Sequence, residues 1–169
     1  MSFMFNPYPY DDPAAVNRID FDPDLRNTIT GNSQDSADRI VERIKEILPA
    51  NSNCIIGLDG YVSAPFAQFV GLISIKCAQE NLPIESFCTT SLFLDSDTLD
   101  EKLQPYLPED RDIDPVLLFG SLYKDGYKGL MNPSKIESLV NKIKVFSKTG
   151  TGILIVYGNA ALFDALLPL

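Results

Sequence analysis

Histidine is absent from all 169 residues. That excludes Ser-His-Asp and Cys-His catalysis, in which an imidazole takes the nucleophile's proton. Histidine-ligated zinc is excluded with it. Cysteine is scarce: Cys54, Cys77 and Cys88 are odd in number, and no two are close enough in sequence to suggest a thiolate metal site. Each sits in an apolar segment, so they read as free buried thiols in a reducing, cytoplasmic compartment. Basic clusters are also missing. The net charge is −9 and the pI about 4.4, whereas a nucleic-acid backbone or an anionic lipid surface is held by a basic face. Neither nucleic acid nor a membrane is an expected partner. No apolar run reaches the length of a membrane span, and the N-terminus lacks the charged and apolar regions of a signal peptide.

What is present suits one globular domain. Apolar residues make up 45% and charged residues 22%, which argues against long disorder. The first stretch, residues 1–32, stands apart. Asn6-Pro7-Tyr8-Pro9-Tyr10-Asp11-Asp12-Pro13 cannot be helical, because proline restricts both itself and the residue before it. An extended arm is expected there, with Phe3, Phe5, Tyr8, Tyr10 and Phe21 draped over the domain or over a partner. Residues 33–169 then form the single folded unit.

Within that unit, helical and strand periodicities alternate. A helix starting between Ser33 and Ser36 carries Ile40, Val41, Ile44, Ile47 and Leu48 at helical spacing and ends at Pro49. A buried strand, Asn53 to Asp59 with Cys54-Ile55-Ile56-Gly57-Leu58 within it, leads through a glycine turn into a helix from about Pro65 to Asn81. That helix is apolar nearly all round and is expected to be deeply packed. A second strand spans Ile84 to Cys88. A surface helix from Asp95 to Leu107 follows, with Asp95 or Ser96 as its cap. Beyond a polar linker, a third strand is expected at Pro115 to Phe119, then a Gly/Lys/Tyr loop. A helix opened by Asn132-Pro133-Ser134 runs to about Lys148, a fourth strand covers Gly152 to Tyr157, and a short helix covers Asn159 to Leu167. Apolar strands alternating with helices predict an α/β fold: a three-layer parallel sheet of four or five strands with helices on both faces. The apolar ending, Ala160 to Leu169, has no polar tail and reads as the mark of a chain cut from something longer, with a natural terminus as the alternative.

A strand, a glycine turn and a helix form the place where α/β proteins bind phosphate, because the helix N-terminus offers free N–H groups and a positive dipole end. The working loop reads G-x-x-x-x-G-K-[S/T]. The corresponding segment here is Gly60-Tyr61-Val62-Ser63-Ala64-Pro65-Phe66-Ala67. Pro65 replaces the second glycine and removes an N–H. Phe66 replaces the lysine and removes the cation. Ala67 replaces the hydroxyl that would hold magnesium. Tyr61 and Val62 add bulk where backbone must approach a ligand. Taken alone, the segment reads better as an ordinary turn with no ligand, because a lone Gly60 says little.

The order of segments adds to this. The chain resembles the uridine-kinase and pantothenate-kinase branch of phosphate-loop kinases. Ser91-Leu92-Phe93-Leu94 stands where these carry a D-S-F-Y-like segment with the catalytic Asp. Val156-Tyr157-Gly158 stands where they carry V-E-G. The resemblance implies a phosphate-loop-kinase-like frame, over about residues 50–165, that has lost its lysine, hydroxyl, Asp and Glu. Phosphoryl transfer depends on these groups. Gly60, Tyr61, Ser63, Pro65 and Phe66 would then be a vestigial phosphate loop. The chain also looks like the N-terminal region of long bacterial mannose-6-phosphate isomerase-like proteins. Tyr8 to Pro13, Asp59-Gly60-Tyr61, Leu99 to Leu107 and Val156 to Leu162 carry that likeness. In that family the chemistry belongs to a following cupin domain with zinc held by His and Glu. The likeness thus implies an accessory module without a cofactor of its own.

Other residues have two readings. Lys124 and Lys128, in the loop with Tyr123, Tyr127, Gly126 and Gly129, suit either a lid over an anion or a solvated turn. Asp95, Asp97, Asp100 and Glu101 suit a cation site or a favourable interaction with a helix dipole. Asp59 suits a catalytic place after a strand or a turn cap. No residue is assigned a catalytic or metal-binding role. The expected function is a non-catalytic interaction module of a mannose-6-phosphate isomerase-like protein, partnered by its own downstream domain or by another copy. The alternatives are a small-molecule kinase with an atypical loop and a structural dimerisation domain.

Overall fold

The structure is a computed structural model that describes residues 22, 24, 28–107 and 121–166. Most of the expected arm over 1–32 and all of the expected third strand over 115–119 lie outside the described residues.

Helix α1, Ser33–Ile47, begins at Asn32, whose side chain accepts from the Asp35 N–H. The cap is therefore one residue earlier than the Ser33–Ser36 window. Asn there satisfies one of the N–H groups that a helix start leaves open. Pro49 falls in a 3-10 turn, Leu48–Ala50, that closes the helix. Strand β1, Asn53–Leu58, follows, then helix α2, Phe66–Gln79, and strand β2, Ile84–Cys88. A 3-10 turn, Thr89–Leu92, leads to helix α3, Ser96–Leu103, capped by Asp95. Helix α4, Pro133–Thr149, is capped by Asn132, which accepts from the N–H groups of Ser134 and Lys135. Pro133 suits the first helical position because its missing N–H is one that would have no partner there. Strand β3, Gly152–Tyr157, comes last.

The three strands among the described residues are parallel, in the order β1-β3-β2. The last of them in sequence is thus the middle one of the three in space. Its side chains alternate between two cores, as a strand's must. Ile153 and Ile155 pack with Val41 and Ile44 of α1 and Val70, Ile73 and Cys77 of α2. Leu154 and Val156 pack on the opposite face with Leu139 and Ile143 of α4, Leu92 and Met131. Helices therefore cover both faces, and the three-layer arrangement holds. Full burial of each β3 aliphatic side chain contributes about 1.5–3 kcal/mol relative to exposure.

Three expectations fail. Strand β1 is not buried throughout: Ile55 and Gly57 are exposed, on the face away from α1 and α2. Helix α2 is not packed all round: Val70, Ile73 and Cys77 are buried, but Ile75 is 59% exposed. The helix rests on the sheet and on α1, which leaves one side open. The closing helix over 159–167 is also not formed among the described residues. Ala161 N–H bonds to Gly158 O and Phe163 N–H to Ala160 O, giving consecutive tight turns and a single 3-10 turn, Asp164–Leu166. Backbone conformation explains the break, since Gly158 and Ala160 have φ of +115° and +64°. Neither angle belongs to a right-handed helix.

Candidate functional site

The segment Gly60 to Ala67 lies at a strand-to-helix junction, between the end of β1 at Leu58 and the start of α2 at Phe66. The chain leaves β1 toward the face that holds α2. It leaves the adjacent β3 toward the α4 face, where Ala160, Ala161 and Leu166 are buried. Two neighbouring strands whose connections depart to opposite faces create a crevice at their carboxyl ends, the usual ligand position in open α/β sheets.

This crevice is filled by the chain itself. The Asp59 carboxylate accepts from Gly60 N–H at 2.7 Å through Oδ1 and from Leu162 N–H at 3.1 Å through Oδ2. Asn159 Nδ2 donates to Gly60 O at 3.4 Å. Gly158 N–H donates to Leu58 O at 3.0 Å, which extends the β1–β3 ladder by one step. Leu162 lies directly on Gly57, so that a Cβ added at Gly57 would fall 2.4 Å from Leu162 Cδ2. Asp59 is therefore a turn cap that ties two connections together.

The turn residues show what the substitutions do. Ala64 N–H bonds to Tyr61 O and Phe66 N–H to Ala64 O, so the loop satisfies part of its own backbone. Pro65 occupies the N-cap position of α2 and supplies no side-chain cap. The ring of Phe66 turns back over the loop, with its Cζ 3.4 Å from where a Cβ of Gly60 would lie. Gly60 does not have a positive φ. Its role is close contact with that ring, not a left-handed turn. Tyr61 and Val62 point outward, 78% and 72% exposed, and Ser63 is exposed as well. Gly60, Tyr61, Ser63, Pro65 and Phe66 thus sit together in one loop, as their sequence positions require.

Lys124 and Lys128 are not drawn to that loop by any described contact. Their segment packs against residues 92–94 and Tyr106 instead. Leu94 N–H bonds to Leu130 O, and Asn132 N–H to Leu92 O. Phe93 meets Tyr127 edge-on at 6.1 Å, and Tyr106 meets Tyr123 edge-on at 5.1 Å. Both lysines are exposed. The Tyr123 hydroxyl is enclosed without a hydrogen bond of ordinary geometry. Burial first, and the nearby Asp125 charge second, push its pKa up. The Asp95 carboxyl is held below the usual range by the Thr98 N–H and hydroxyl that it accepts. That is the signature of a helix cap. Among the described residues, no group of three or more Cys, Asp or Glu could hold a metal ion.

One buried polar residue escaped the sequence reading. Thr89, just after β2, is fully buried. Its hydroxyl lies 2.8 Å from Asn159 O and 3.2 Å from Tyr157 O, both of which can accept its proton. Thr89 fixes the β3 turn from the β2 side, as Asp59 does from the β1 side. Beside it, Tyr157 stands where the kinase-like pattern has Glu. Burial raises its pKa, and contact with Cys88 adds to the shift.

Residues 36–167 match a family described as "Domain of unknown function (DUF8485)", so the chain belongs to that family. No curated protein and no solved structure matches it. Among the described residues, no helix is long and apolar enough to cross a membrane.

Proposed function

We propose that this domain is a non-catalytic interaction module built on a phosphate-loop-kinase-like frame whose ligand crevice is occupied by its own side chains. The observation that carries this reading is the pair Phe66 and Asp59. A nucleotide phosphate needs free backbone N–H groups and a cation beside a cleared turn. Here an aromatic ring covers Gly60, and an internal carboxylate takes the N–H groups of Gly60 and Leu162. Asp59 would also repel an incoming phosphate. Magnesium has neither the hydroxyl at Ala67 nor an acid at Tyr157 to hold it. On the same reading the module serves a mannose-6-phosphate isomerase-like protein in the cytoplasm as a part that binds a partner and does no chemistry.

A thermal-shift series with magnesium-ATP, magnesium-GTP and mannose 6-phosphate tests this. A ligand at 100 times its Kd stabilises a fold by about 2.7 kcal/mol, a readily measured shift. No shift is expected with either nucleotide. Stabilisation by a magnesium-nucleotide would replace the proposal with an active kinase of unusual loop. Stabilisation by mannose 6-phosphate alone would make the crevice a sugar-phosphate site.

A further inference from the structure

The dipeptide Asp-Gly stands at Asp59-Gly60 and at Asp125-Gly126. In such a pair the glycine nitrogen can attack the preceding side-chain carboxyl, because no Cβ crowds its approach. Both aspartates and both glycines are exposed. Their surroundings differ. The Gly60 nitrogen lies 2.7 Å from Asp59 Oδ1, in direct contact with the carboxyl group it would attack. The Leu162 N–H holds the other oxygen, Oδ2, at 3.1 Å and so keeps the side chain in that position. At Asp125 the carboxylate lies near the Tyr123 hydroxyl. Among the described residues, no hydrogen bond joins it to the Gly126 N–H.

Holding the reacting atoms about 3–3.5 Å apart removes most of the entropy cost of such a step. The hydrogen bond sets the nitrogen beside a carboxyl oxygen, whereas attack on Cγ needs the face of the group. The last torsion of an aspartate is broad, so a turn about Cβ–Cγ presents that face without moving the backbone. We propose that Asp59-Gly60 is a self-modifying site that converts to isoaspartate. The Gly60 nitrogen bonds to Asp59 Cγ and a Cγ–O bond breaks. That oxygen leaves as water, with the nitrogen's proton and one from solvent. Water then opens the cyclic imide at the Asp59 main-chain carbonyl. The chain now runs through Cβ and Cγ, and the free carboxylate is the former main-chain one.

The product cannot hold the crevice as Asp59 does. The charge leaves the group that Leu162 N–H binds, and a bond to a charged acceptor is roughly twice as strong as a neutral one. The backbone also gains a carbon between β1 and α2, which displaces Gly60 from Asn159, its partner at 3.4 Å. The tie between the two connections therefore loosens on a clock set by the chain's own chemistry. None of this depends on what the crevice binds.

The full chain, aged for weeks both folded and unfolded in urea, provides the test. Mass spectrometry with electron-transfer fragmentation counts isoaspartate at each site. In the folded chain Asp59 should convert severalfold faster than Asp125, through a species lighter by one water. In urea, where both pairs lose their surroundings, the rates should converge. Gly60→Ala, whose added Cβ meets Phe66 Cζ at a tolerable 3.4 Å, should slow conversion at Asp59 and leave Asp125 unchanged. The isoaspartyl form, separated by chromatography, should exchange its Leu162 amide hydrogen faster than the parent, read by NMR. Conversion at Asp59 no faster than at Asp125 in the folded chain overturns the proposal. A preference that persists unchanged in urea also overturns it, by assigning the preference to sequence neighbours. Unchanged exchange at Leu162 overturns the loosening of the crevice.

Discussion

Gly158 is the position at which the geometry makes its sharpest demand. Its φ of +115° is one that side chains rarely adopt, and a Cβ there would lie 2.5 Å from the buried Thr89 Oγ1. Gly158→Ala therefore has two costs. Backbone strain in a glycine-only region is about 1–3 kcal/mol. Displacing the Thr89 hydroxyl breaks its bond to Asn159 O and leaves buried polar groups without partners, at about 1–3 kcal/mol. A total of about 2–6 kcal/mol is expected, or about 4–24 °C in Tm for a domain of this size. Urea unfolding monitored by circular dichroism measures it. A second background separates the two parts. In Thr89→Ala the obstructing oxygen is gone, so the added cost of Gly158→Ala should fall to the strain alone. The two substitutions should then be non-additive by about 1 kcal/mol or more. Additivity within error, or a Gly158→Ala chain as stable as the parent, would refute the account of this turn.

Three further outcomes follow from the packing and the titrating groups. Leu154→Ala, at a fully buried site in the middle strand, should destabilise by about 2–5 kcal/mol through lost burial and a residual cavity, measured by the same urea titration. Asn132→Ala removes the acceptor for the first N–H groups of α4 and should cost about 1 kcal/mol, while Asn132→Asp should largely preserve stability. Stability should also fall at alkaline pH. Burial raises the pKa of Cys54 and Cys77 above 9.0 and that of Tyr157 above 10.0. A raised folded-state pKa gives stability that is complete below the unfolded value and declines as pH climbs through the folded one. Melts should therefore be level up to about pH 9 and drop beyond it, and Cys77→Ala should remove part of that drop.

Much of the frame could be read from residue order. The run Ile153-Leu154-Ile155-Val156 declared a strand buried on both faces, and it is the central strand. Strand β2 was legible over Ile84–Cys88, and Asn132-Pro133 marked the start of α4. Local chemistry decides such features. What escaped depends on distant partners. Nothing near Asp59 in sequence points to its bond with Leu162, more than a hundred residues away. The loss of a cation at Phe66 was legible, but the return of its ring over Gly60 was not, because residue type does not fix where a side chain folds. The short helix expected over Asn159 to Leu167 is broken among the described residues by the positive φ of Gly158 and Ala160. The apolar circumference of α2 promised burial on all sides, yet only two layers reach it, and Ile75 faces solvent.

The order β1-β3-β2 has a consequence for synthesis on the ribosome. Among the described strands, β1 and β2 bond to β3 and not to each other, and Asn53 finds its partner in Gly152. Until Gly152 and the residues after it leave the exit tunnel, these ladders cannot begin to form. At ordinary elongation rates the roughly hundred residues between β1 and β3 take about 5–20 s to make. Throughout that interval Cys54-Ile55-Ile56 and Phe87 lack the strand that they pair with among the described residues, and they are segments a nascent-chain chaperone would meet.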